Sequence, residues 1–188
     1  MANKDVEIEI KIKVEAGLEM IKEALRKNTT FVKTAEQKDE YFTPIHRNFL
    51  QAKFPFEWLS IRKRGGKAIL NYKHWHPPNA EIHTHCDEFE TVVEKPEQLE
   101  KIFSALNIKP LVTVEKTREV YKTEEFEIAL DTVKDLGTYI EIEAIKDLGT
   151  VEETREKLFE FAKKLGLDLS KTDKKGYPMA LLEKAKNI

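Results

Sequence analysis

Three side chains near the start of the chain, Glu7, Glu9 and Lys11, are spaced two apart. On an extended strand that spacing puts them on one face, two carboxylates beside an ammonium. The pattern returns in Arg62 with Arg64, Asn71 with Lys73, Lys116 with Arg118, Glu141 with Glu143, and in Asp131, which shares a face with Glu127 and Ala129. Carboxylate oxygens are hard ligands that hold Mg2+ or Mn2+, whereas guanidinium and ammonium groups take phosphate oxygens. One such strand alone reads as the solvated side of an ordinary antiparallel sheet. Recurrence of both signs on separate strands points to a ligand that carries both, a polyphosphate chelated to a divalent cation.

The segments carrying these residues have the period of a β-strand. In Val6 to Val14 the apolar Val6, Ile8, Ile10, Ile12 and Val14 alternate with Glu7, Glu9, Lys11 and Lys13. Further strands are predicted over Phe31 to Phe42, Glu57 to Arg64, Lys67 to His76, Ile82 to Val93, Leu111 to Thr123, Phe126 to Val133 and Tyr139 to Ile145. Arg64-Gly65-Gly66-Lys67 marks a tight hairpin. Helical stripes cover about Leu18 to Lys27, Pro96 to Leu106, Val151 to Leu165 and Pro178 to Lys186. Eight strands interrupted by a few helices, out of strand-helix-strand order, predict an α+β fold with an antiparallel sheet.

Eight antiparallel strands can close into a barrel, and a closed sheet must turn one face inward. The apolar faces are the ones able to pack against amphipathic helices outside, so the charged faces turn in. Unpaired charges in a dry core cost several kcal/mol each. Such an interior must therefore hold water and a ligand.

At this point the sequence resembles the CYTH superfamily, named for class IV adenylyl cyclase and thiamine triphosphatase. Its ExExK signature stands here as Glu7-Ile8-Glu9-Ile10-Lys11. Asp39-Glu40-Tyr41-Phe42, Leu59-Ser60-Ile61-Arg62-Lys63-Arg64, Leu70-Asn71-Tyr72-Lys73 and Val114-Glu115-Lys116-Thr117-Arg118 follow in the family's order. Leu130-Asp131 with Leu136 to Glu143 is similar to its paired acidic strands, and Gly176-Tyr177 before Leu181-Leu182 to its closing segment. The resemblance implies a closed eight-stranded antiparallel β-barrel, a triphosphate tunnel, with helices packed outside, formed by residues 1–188 as a single domain. It implies that Lys11, Arg62, Arg64, Lys73, Lys116 and Arg118 bind the triphosphate. Glu7, Glu9, Asp131, Glu141 and Glu143 then hold Mg2+ or Mn2+ or orient water, with Glu7, Glu9, Lys11, Lys73 and Glu141 as the catalytic set. The substrate is ATP, thiamine triphosphate or tripolyphosphate. The last strands look closer to the adenylyl cyclase-like branch, which forms cyclic AMP and pyrophosphate; hydrolysis, or nucleotide binding without reaction, is the alternative.

One departure stands out. The family usually carries a basic residue two positions before the glutamates of the fifth strand, and Cys86 occupies that place ahead of Glu88 and Glu90. A phosphate contact is expected to be lost there. Pairing His74 with His85 and His76 with His83 would set four imidazoles on one face and Lys73 opposite Cys86; the bland reading is a polar outer rim with no metal. Tyr41, Phe42, Trp58, Phe89 and Tyr121 are candidates to stack on a nucleobase, with cross-strand packing the plainer alternative. The apolar loop Thr43 to Pro55 reads as a lid, a homodimer contact or simple packing.

Composition narrows the partners. The 32 Lys and Arg nearly cancel the 34 Asp and Glu, for a net charge of −2. No bulk field is available to recruit nucleic acid or an anionic membrane. A single cysteine excludes an intrachain disulfide. With neither a signal core nor a spanning apolar run in view, a cytoplasmic location is expected.

Overall fold

The computed structural model describes residues 6–186. Its elements in chain order are β1 (Val6–Glu7), β2 (Glu9–Val14), α1 (Leu18–Asn28), β3 (Thr30–Pro44), β4 (Glu57–Arg64), β5 (Lys67–His76), β6 (His85–Val93), α2 (Pro96–Ala105), β7 (Ile108–Lys122), β8 (Phe126–Val133), β9 (Gly137–Ala144), α3 (Val151–Lys164) and α4 (Tyr177–Lys186). All strands join one antiparallel sheet in the order β1-β6-β5-β4-β3-β7-β8-β9-β2.

The predicted first strand is divided at Ile8, which raises the count from eight to nine. The division is what closes the barrel. Glu7 pairs with Cys86 on β6, while Glu9 pairs with Glu143 on β9, so one stretch of chain seals both edges of the sheet. Among the described residues β1 pairs with Cys86 and Asp87 of β6, so the barrel is nearly closed along this seam. At the β4–β5 hairpin, Arg64 faces Lys67 across Gly65 and Gly66, whose φ values of 56° and 78° need residues without a Cβ.

The alternating apolar residues point outward, as the patterning requires. Ile10, Ile12, Ile128, Leu130, Ile140 and Ile142 form the main core with Ile21 and Leu25 of α1 and Leu158 and Ala162 of α3. α3 starts on a capping box, with Thr150 and Glu153 each satisfying the other's backbone N–H. A smaller cluster seats Phe103 of α2 on Phe42, Ile61 and Ala68.

The helices flank the barrel as expected, and α4 in addition meets residues of the inner strand face. Its Tyr177 and Leu181 join Val114, Val133 and Tyr139, which share the strand face of Lys116, Asp131 and Glu141. Among the described residues no helix is long and apolar enough to cross a membrane.

The β5–β6 register also differs from the expected one by two residues. His74 pairs with Asp87, Lys73 with Glu88, Trp75 with Cys86 and His76 with His85. Thr84 N–H bonds to the His76 carbonyl at 2.8 Å, so the connecting loop runs to residue 84 and β6 begins later than Ile82. A two-residue shift preserves the faces of the strand residues. His83, however, lies outside the strand and turns to Trp75, at 6.0 Å. His74, His76 and His85 stack with centroids 4.8 and 4.9 Å apart and planes within 13°, and parallel rings do not converge on a common metal. In the loop after β3, Phe49 packs on Tyr72 and Phe56 on His74.

Candidate active site

The inward faces of the strands enclose a single cavity of about 270 Å3. It is lined by Glu7, Glu9, Lys11, Arg62, Arg64, Lys73, Lys116, Arg118, Glu141 and Glu143. Every cation and all but one carboxylate expected at the site thus meet around one space. The exception is Asp131, 0% exposed and lying behind the wall. Its oxygens accept from Arg118 Nε at 2.7 Å and NH2 at 2.6 Å, from Lys116 at 3.1 Å and from the Tyr177 hydroxyl at 3.0 Å. All of those contacts are to the protein's own donors.

Of the remaining pairs, Lys11 with Glu141 and Lys73 with Glu88 are direct cross-strand partners, and the others reach along a strand, diagonally or across the cavity. Lys11 stands 3.1 Å from Glu141 and 3.6 Å from Glu9. Lys73 touches Glu7 and lies 3.6 Å from Glu88. Arg62 reaches Glu88 at 2.9 Å and Glu90 at 2.6 Å, and Arg64 lies 3.6 Å from Asp39. Two regions emerge from this placement. Arg62, Arg64, Lys116 and Arg118 come from the contiguous strands β4, β3 and β7 side of the sheet, whereas Glu7, Glu9, Glu141 and Glu143 come from the seam of β1, β2 and β9.

At the acidic seam Glu9, Glu143 and Glu127 are direct cross-strand neighbours. Among the described residues Glu143 has no ion-pair partner. Burial, with Glu9 and Glu141 alongside, pushes its carboxyl up to about 8. Burial likewise raises Glu7 to about 9, although Lys73 sits against it. Glu141 behaves oppositely: burial opposes its ionisation, but Arg118 and Lys11 hold it well below the usual carboxylate range. Lys116 is pushed down to about 8 by burial and by Arg118.

Carboxylates short of positive charge are the donor set a hard divalent cation takes. Glu7, Glu9 and Glu143 therefore fit Mg2+ or Mn2+ in chemistry. Among the described residues no three His, Cys, Asp or Glu side chains are already gathered in a metal-ready cluster. Holding an ion requires Glu7 and Glu9 to turn from Lys73 and Lys11.

Several site residues escaped the sequence reading. Glu88 and Glu90 alternate inward on β6, and Asn71 bonds to both, at 2.5 and 3.1 Å. Their period-two spacing was a usable signal. Lys174, Lys175 and Arg155 also line the cavity, from a loop and a helix without strand periodicity. Of the aromatic candidates, Tyr41 and Trp58 line the cavity, edge to face at 5.8 Å. Phe42 packs outward on Phe103, Phe89 is exposed beside Tyr72, and Tyr121 belongs to the outer core; these three do not face the cavity because their strand positions fall on the other side or end. Cys86 is fully buried with its sulfur 3.6 Å from Glu7, and no cation stands in its place.

The CYTH domain matches residues 5–177 of this chain. The chain belongs to the CYTH family. A Methanocaldococcus jannaschii protein, MJ0240, whose name proposes adenylate cyclase activity, is 30% identical over 173 residues, 92% of this chain and 96% of that one. Among solved structures, the PH1819 protein of Pyrococcus horikoshii OT3 superposes with a TM-score of 0.79 at 28% identity, covering 95% of this chain and 99% of its own. HpAC1 from Hippeastrum, a proposed adenylyl cyclase with a dominant triphosphatase activity, shares the fold at a TM-score of 0.65 and 18% identity, over 96% and 95% of the two chains. The CYTH membership and the closed antiparallel barrel agree with the expectation drawn from the ordered motifs.

Proposed function

We propose that this CYTH protein is a divalent-metal-dependent enzyme that breaks a phosphoanhydride bond of a triphosphate held inside the barrel. The observation that carries the reading is the cation-rich wall of Arg62, Arg64, Lys116 and Arg118 facing the same 270 Å3 cavity as the carboxylates of the seam. A triphosphate satisfies the guanidinium and ammonium donors, bidentately at the arginines. Glu7, Glu9 and Glu143 would hold the cation, and Glu141 keeps Lys11 aimed into the cavity. Asp131, spent on Arg118, Lys116 and Tyr177, serves as the carboxylate that orients two phosphate-binding cations. The bound metal supplies charge neutralisation of the phosphate oxygens. Lys11 and Lys73 would hold the reacting phosphate in line with the attacking oxygen.

The nucleophile decides the product. Enclosed sites for drug-sized ligands run from about 300 Å3 upward. A cavity of about 270 Å3 is at the small end of that range and suits a phosphate chain better than a whole nucleotide. That favours water attacking the terminal phosphorus, with phosphate released. The relation to MJ0240 favours the second reading, attack by the ribose 3′-hydroxyl on the α-phosphorus of ATP. Incubating the protein with ATP, thiamine triphosphate and tripolyphosphate in Mg2+ or Mn2+, with separation of cyclic AMP, nucleoside diphosphate and inorganic phosphate, tests both. A folded protein that turns over none of the three would overturn the enzymatic reading.

A further inference from the structure

Helix α4 brings one aromatic ring to the inner wall. Tyr177 is 4% exposed, and its ring packs edge to face on Tyr139 at 5.0 Å. Lys11 Nζ lies 4.5 Å from the ring centroid and Lys116 Nζ 5.0 Å. The two ammonium groups come from β2 and β7, strands that are not neighbours in the sheet. The hydroxyl donates to Asp131, the carboxylate on which Lys116 and Arg118 also converge. One side chain thus touches two cations directly and a third through Asp131.

A neutral ring differs from a carboxylate in what it leaves behind. A carboxylate holding a lysine cancels its charge and competes with an incoming phosphate. The quadrupole of a ring attracts the ammonium without neutralising it, and most strongly where water is excluded. It can also hold two like charges that would otherwise repel.

The segment that delivers Tyr177 is tied to the same strand as Lys11. Asp173 N–H donates to the Lys11 carbonyl at 2.7 Å, and Thr172 forms a bridge with Ile12. The Asp173 carboxylate then accepts from Lys175 N–H at 3.0 Å and Gly176 N–H at 3.1 Å, fixing the turn into the helix. Gly176 has φ 76°, the left-handed turn that aims the next residue inward.

The geometry points to Tyr177 as a positioning residue of the triphosphate site: its ring gives Lys11 and Lys116 a second, neutral contact beside their carboxylates Glu141 and Asp131, holding both ammonium groups at the cavity wall, and its hydroxyl fixes the Asp131 carboxylate that aims Arg118. The barrel strands supply the paired carboxylates, and the C-terminal helix adds the ring that both ammonium groups share. This inference rests on the triphosphate reading above.

The test separates the ring from the hydroxyl. Binding of tripolyphosphate by calorimetry, without and with Mg2+, is measured for the full chain, Tyr177→Phe and Tyr177→Leu, together with KM and kcat on any triphosphate that is turned over. Tyr177→Phe, keeping the ring, is expected to weaken metal-free binding about threefold. Tyr177→Leu should weaken it tenfold or more and raise KM by a similar factor, and Tyr177→Trp should restore most of the loss in Tyr177→Leu. Circular dichroism and thermal melts identify folded variants. If folded Tyr177→Leu binds tripolyphosphate as tightly as the unaltered chain, or if Phe and Leu lose affinity equally, the positioning role is wrong. If the unaltered chain binds no triphosphate, the functional reading falls and this inference falls with it.

Discussion

At the residue scale, the acidic seam gathers buried carboxylates that are incompletely paired. Glu143 has its carboxyl raised to about 8 against an ordinary value of 4.5. Between those two pH values the folded chain keeps a proton that the unfolded chain has released, so stability falls as pH rises across the window. Glu143→Gln removes the titration. Its ligand-free unfolding free energy should match the unaltered chain near pH 4 and exceed it by pH 8, by about 1 kcal/mol or more, while metal-dependent turnover is lost. A variant less stable at pH 8 would show that the carboxylate is structural. Asp131 is the counter-case. It is wholly buried, burial opposing its ionisation while Lys116 and Arg118 hold its carboxyl low. Asp131→Ala strands two buried cations and should cost about 3 to 5 kcal/mol in urea unfolding; a loss near zero would mean the cations find other partners.

At the scale of elements, the barrel depends on a short seam. β1 contributes two paired residues against β6, whereas β3 and β7 pair along most of their 15-residue lengths. Amide exchange should therefore be fastest at Glu7 and Cys86 and slowest along β3 and β7, and triphosphate with Mg2+ should slow the seam selectively. Uniform protection across all strands would contradict a weak closure. The strands and all four helices were legible because alternation and 3.6-residue stripes are local signals, and the shared charged faces of Glu9, Arg62, Lys116 and Glu141 followed from period two. The split at Ile8 was not legible, because it is imposed by two partner strands far away in sequence. Nor were the contacts of α4: Tyr177, Met179, Leu181 and Leu182 offer an apolar run, and only Asp131 and Tyr139 show what that run meets. The β5–β6 register slipped by two because the length of the connecting loop is fixed by the Thr84–His76 backbone bond, which residue types do not announce.

For the whole molecule, a net charge of −2 gives no hint of an anion site. On the proposed reading, recognition would depend on segregation, with Arg62, Arg64, Lys116 and Arg118 on one wall and excess carboxylates at the seam of the same cavity. Each wall compensates the other imperfectly while the cavity is free of ligand, as the raised Glu7 and Glu143 and the depressed Lys116 show. A triphosphate alone satisfies the cations but adds negative charge near the seam; Mg2+ alone satisfies the seam but repels the cations. Together they complete both, so their binding should be mutually reinforcing. A ligand at a hundred times its Kd stabilises the folded state by about 2.7 kcal/mol. For a domain of this size that corresponds to a rise in melting temperature of roughly 5–10 °C. Tripolyphosphate and Mg2+ added together should raise the melting temperature by more than the sum of the two separate shifts. Since screening acts weakly on buried pairs, the excess should largely survive 0.15 M salt. Strictly additive shifts would place anion and cation at independent sites, and the picture of two walls sharing one ligand would fail.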